Sequence, residues 1–80
     1  MEQHINEPVT VQARISRGIS QPLFLNWKGR AYQIIDVARE QPKGNQKADI
    51  EIFSAAIVDL RRVKLMYDHN KKEWTLLSID

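Results

Sequence analysis

The chain has no cysteine, which excludes disulfides and thiolate metal sites. Its two isolated histidines, His4 and His69, cannot make a metal centre by themselves. Apolar residues never run for more than four positions, far short of the roughly 20 that a membrane-crossing helix needs. Residues 1–8 show neither a basic start nor an apolar core, so they do not read as a secretory signal, and a cytoplasmic location is the expectation. Charge of one sign is also scarce. Twelve Lys and Arg against ten Asp and Glu leave a net charge of +2, which permits nucleic-acid binding without arguing for it.

What remains is an ordinary globular composition. Over 80 residues, 42% are hydrophobic and 28% charged, with three glycines and three prolines, and there is no internal repeat, linker or low-complexity segment. A chain this short hides only about 60% of the surface its unfolded form exposes, so its stability is modest. Without disulfides or metal, packing or self-association must supply it.

Residues 21–37 are the organising stretch, a β-hairpin with apolar and aromatic residues on both arms of a Lys28-Gly29-Arg30 turn. Residues 1–7 are polar and read as a frayed, disordered tail ahead of one domain over 8–80. In residues 9–15, Val9, Val11, Ala13 and Ile15 alternate with Thr10, Gln12 and Arg14, a period of two that predicts one buried and one wet face. Residues 16–22 read as a turn-rich connection, with Gly18 free to take a positive φ. In the next strand, residues 23–27, Leu23, Leu25 and Trp27 share a face and Phe24 takes the other. Gly29 fits the left-handed position of a tight hairpin loop.

From Ala31 to Arg39 the alternation fails, because Tyr32 and Ile34 fall on one face and Ile35 and Val37 on the other. Either both faces are covered or a bulge near Ile34 and Ile35 shifts the phase, and both suit a bent sheet or small barrel. Residues 41–47, with Pro42 and Gly44, form the clearest loop and the expected flexible segment. Residues 48–60 are ambiguous. Ile50, Phe53, Ile57 and Leu60 make a helical stripe, whereas the β-branched and aromatic content favours a strand over 49–58. Finally, Val63, Leu65 and Tyr67, then Trp74 and Leu76, alternate about a turn at 68–72. The expected fold is mostly β: five or six antiparallel strands in a strongly bent sheet or small barrel, with one short helix around 48–60 as the alternative. Trp27, Tyr32, Leu65, Tyr67, Trp74 and Leu76 are placed in or near its core.

No catalytic set, cofactor site or small-molecule substrate site is expected. Asp36, Asp49, Glu51 and Asp59 lack the spacing of a calcium loop and read as outward strand residues and loop charges. His69, in a turn between Asp68 and Asn70, reads as a solvated loop residue, since a general base needs a partner and a pocket. For nucleic acid, Trp27, Tyr32 and Phe24 beside Lys28 and Arg30 could form a small single-strand platform, with Arg14, Arg62 and Lys64 on wet faces. Against it, Trp27 and Tyr32 read more readily as cross-strand core partners, with the charges merely solvating the surface. A protein-interaction surface is the other class. Strands apolar on both faces, around Phe24, Ile34 and residues 77–79, either close into a barrel or leave a patch for a partner or a second copy.

These residues also resemble a family of small bacterial domains of unknown function. Its members carry a Glu-Pro-Val strand, an aromatic-x-Trp-x-Gly-Arg-x-Tyr hairpin and a closing Leu-Tyr-Asp…Trp-x-Leu hairpin. The matches are Glu7-Pro8-Val9, Phe24 to Tyr32 through Asn26-Trp27-Lys28-Gly29-Arg30, Leu65-Met66-Tyr67-Asp68 and Trp74-Thr75-Leu76. Some relatives are fused or adjacent to Y-family DNA polymerases, so the resemblance implies a link to DNA damage tolerance and carries over no catalytic residue. After Val37 the chain departs from the pattern: many relatives have a Trp-containing segment where this one has Pro42-Lys43-Gly44. Together these readings favour a non-enzymatic protein-interaction module, with weak single-stranded nucleic-acid binding as the alternative.

Overall fold

The computed structural model describes residues 3–17, 19–40, 49–58 and 61–80. Six strands follow one another: β1 (Gln3–Ser16), β2 (Ile19–Trp27), β3 (Arg30–Arg39), β4 (Ile50–Ile57), β5 (Arg62–Asp68) and β6 (Glu73–Ile79). Each pairs antiparallel with the next, and β1 closes on β6, giving a small closed barrel. No helix occurs among the described residues, and none there is long and apolar enough to cross a membrane. The ambiguous segment is therefore strand β4, with Glu51, Phe53, Ala55 and Ile57 on its buried side. Leu60 lies outside the described residues, as do Gly18 and residues 41–47, where a loop was expected.

Three boundaries differ from the sequence reading. The tail expected at 1–7 is, from Gln3 onward, the first half of β1, paired with β6 from Gln3↔Ile79 to Val9↔Trp74. Its polar composition is compatible with a strand because only Ile5 and Val9 of this stretch pack against the core and the other residues stay exposed. The connection expected at 16–22 is almost all strand: Ser16 pairs with Ile19 and Arg14 with Gln21. Pro22 is accommodated because the register shifts there, Gln12 facing Phe24 and Ala13 facing Pro22 with Leu23 skipped. A bulge is where a strand tolerates a residue without an N–H. Third, the inward face of β1 ends at Val11. Ala13 and Ile15 are exposed, Ile15 at 69%, because this half of the strand pairs with β2 beyond the core.

The broken alternation in β3 is a bulge. Ile34 faces Ile57 and Asp36 faces Ala56, so Ile35 is skipped. Ile34 is buried, Ile35 is exposed and Val37 returns to the core. A similar shift in β6 passes over Leu77 and brings Ile79 inside. The core is Leu25, Ile34, Phe53, Ala55, Ile57, Val63, Leu65, Trp74, Leu76 and Ile79. Trp27, Tyr32 and Tyr67 pack against it only partly buried. These bulges supply the bending that lets so few strands close.

Candidate functional site

β1 changes partner half-way along: up to Val9 it lies against β6, and from Thr10 onward against β2. At that crossover the ends of β2, β5 and β6 converge. A groove of about 610 Å³ opens there. Pro8, Val9, Thr10 and Val11 form its β1 side, Trp27 ends β2 and Lys28 opens the turn after it, and Tyr67, Lys72 and Trp74 come from β5, the β5–β6 turn and β6.

The aromatic side chains are held, not loose. Trp74 packs at a tilt against Phe53, at 5.6 Å between centroids, and against Tyr67, at 4.7 Å. Trp27 donates its Nε1 hydrogen to Glu7 Oε2 at 3.1 Å, and the Lys28 ammonium sits 4.8 Å above its ring centre. Rings fixed in this way offer apolar area at little cost in side-chain entropy, which favours their use in recognition.

The turn that brings Lys72 to the groove is tied from below. Asp68 Oδ1 accepts the backbone N–H of Asn70 at 2.9 Å and of Lys71 at 3.3 Å. The His69 N–H reaches the Asp49 carbonyl at 2.8 Å, and the Asn70 side-chain amide donates to the Asp49 carboxylate. His69 Nε2 also meets Glu51 Oε1, whose other oxygen lies 3.2 Å from Arg39 Nε. Glu51 is only 6% exposed. A buried carboxylate needs such partners, because leaving it alone out of water is costly.

This corrects two readings. Glu51 is not an outward residue, and His69 is not simply a solvated one. The signal for Glu51 was present: in a strand it shares parity with Phe53, Ala55 and Ile57. Ile50 and Ile52, apolar on the opposite face, obscured it. His69 also lies edge-on to Tyr67 at 4.7 Å, so the ionic cluster and the groove share a wall. His69 itself does not line the groove. Among the described residues no set of three or more His, Asp and Glu is placed to hold a metal ion.

The basic residues singled out from sequence do not form one surface. Trp27 and Lys28 line the groove, and Arg30, exposed, faces Trp27 across the hairpin. Arg14 is exposed on the half of β1 that pairs beyond the core, opposite Gln21. Arg62 and Lys64 line a separate depression with Ser54, Ser78 and Asp80, and Lys64 Nζ is 3.5 Å from Glu40 Oε2. Phe24, Ile35 and Val58 stay exposed on the outer surface. Tyr32 packs against the core, outside the groove.

No protein-family model, curated protein or solved structure matches this chain.

Proposed function

We propose that this chain is a non-enzymatic protein-interaction module, and that an extended peptide segment occupies the groove between Trp27, Tyr67 and Trp74. The observation that carries it is the groove itself: an open cleft on a closed barrel, walled by aromatic rings that the fold has already fixed. Aromatic-lined grooves suit extended segments, whose side chains fill the spaces between the rings.

The groove's charge favours peptide over nucleic acid. Only two cations, Lys28 and Lys72, line the groove, beside one carboxylate, Glu73. A phosphate backbone draws its affinity from a run of many cations, whereas Arg14, Arg62 and Lys64 lie outside the lining and only Arg30, opposite Trp27, stands close to the two lysines. Single-stranded nucleic acid is the second reading. The ammonium beside the Trp27 ring supports it, as does the resemblance to domains that accompany Y-family polymerases. A bacterial cytoplasm is the setting both readings propose.

The test is a backbone-amide NMR map with peptides selected from a random display library, beside short single-stranded DNA at low and moderate salt. Shifts from the selected peptides centred on Trp27, Tyr67 and Trp74 support the module. Salt-sensitive shifts there from DNA alone, with no peptide selected, would replace it with the second reading.

A further inference from the structure

We infer that the groove's partner is an acidic peptide, with carboxylates that meet Lys28 and Lys72 and an apolar or proline residue between them that stacks on the rings. This rests on the module proposed above and specifies its ligand.

Charge complementarity points to carboxylates. The two lysines come from different turns and reach the same groove. Among the described residues neither ammonium is paired with a carboxylate. That of Lys28 is held over the Trp27 ring. The acidic groups nearby are engaged differently: Glu7 accepts the Trp27 indole hydrogen, and Asp68 caps its own turn. Glu73 is exposed and stands opposite Asp68 in the ladder. Two discrete cations beside apolar rings fit a few spaced carboxylates better than a continuous polyanion.

Backbone conformation gives an independent reason. Among the described residues, four non-glycines have positive φ: Asn6, Arg17, Lys28 and Lys72. Asparagine tolerates that region, whereas for a long side chain it costs about 1–2 kcal/mol. Of the three basic residues held this way, two line the groove. Lys28 occupies the first loop position of a two-residue hairpin, where Asn fits best, and Lys72 the last position of its turn, where Gly does. Strain of this kind clusters at binding and active sites, where a cheaper residue would fold better but serve less well.

That strain makes the inference testable with variants that fold. Both tryptophans of the chain line the groove, so intrinsic emission reports occupancy. The full chain is titrated with a synthetic peptide of Asp, Glu, Pro and Leu, with its counterpart bearing Lys and Arg at the acidic positions, and with oligothymidylate. The acidic peptide is expected to bind best. Lys72→Gly and Lys28→Asn should each weaken it roughly fivefold, the value of an exposed charge pair, with thermal stability unchanged or raised. Tighter binding of the basic peptide would overturn the inference and leave the module standing. Preference for oligothymidylate would overturn both, as would emission unmoved by all the probes. Unchanged affinity in both variants would remove the lysines from the site.

Discussion

Glu51 stands directly opposite Tyr67 in the β4–β5 ladder. The first is a buried carboxylate that engages His69 and Arg39, and the second is a wall of the groove. His69 touches both residues. The ionic cluster therefore fixes the turn that carries Lys72 and braces the ring that stacks on Trp74. Stability and recognition meet at one end of the barrel.

Removing the carboxylate should show this coupling. Glu51→Ala strips His69 and Arg39 of their shared partner, but both reach solvent, so the loss is smaller than for a fully buried pair. It should be about 1–2 kcal/mol. Glu51→Gln, which keeps the volume, should fall between Glu51→Ala and the parent. Urea denaturation measures both, and an Ala variant as stable as the parent would show the cluster to be dispensable.

Gly29 offers a cleaner test of the hairpin. Its φ is +76°, and a Cβ added there would meet nothing within 4 Å. Any penalty in Gly29→Ala is thus backbone strain alone, about 1 kcal/mol. Thermal unfolding should show that loss with no change in the spectrum of the folded protein. A Tm equal to the parent's would mean the turn relaxes to another type.

Much of the barrel was legible because two-residue periodicity survives in most of the strands. Val63, Leu65, Trp74 and Leu76 alternate in sequence and are buried in space. The phase break at Ile34 and Ile35 announced a bulge. What sequence could not convey was pairing across long separations. Residues 3–7 look like a tail until β6 lies beside them, and Pro22 looks like a turn residue until the bulge accommodates it. For the site, Trp27 and Lys28 were legible as a pair within one hairpin. Tyr67, Lys72 and Trp74 join them only through barrel closure, which no local pattern encodes.

The contrast between buried and exposed apolar residues of β1 and β2 gives a paired prediction. Leu25 is fully buried and Ile15 is 69% exposed, although both lie in the β1–β2 hairpin. Leu25→Ala should cost about 2–5 kcal/mol, enough to unfold much of so small a domain. Ile15→Ala should stay within about 0.5 kcal/mol of the parent. Denaturant midpoints compare the two. A comparable loss at Ile15 would mean that this half of β1 is covered in solution, as it would be by a second copy.

Tyr67 is where groove and core can be separated by chemistry. Its ring contacts Trp74 and His69, both at 4.7 Å. Tyr67→Phe preserves those contacts and should stay within about 0.5 kcal/mol of the parent. Tyr67→Leu removes both aromatic pairs, each worth about 0.5–1.5 kcal/mol, and should cost about 1–3 kcal/mol in all. Made in a Trp27→Phe background, the same substitution should shift the emission of Trp74, which loses its stacking partner and gains solvent. Peptide affinity should fall with Tyr67→Leu and hold with Tyr67→Phe, because the ring and not the hydroxyl forms the wall. If the Leu variant matched the parent in stability, emission and affinity alike, Tyr67 would be a bystander and the groove's aromatic wall would rest on Trp27 and Trp74 alone.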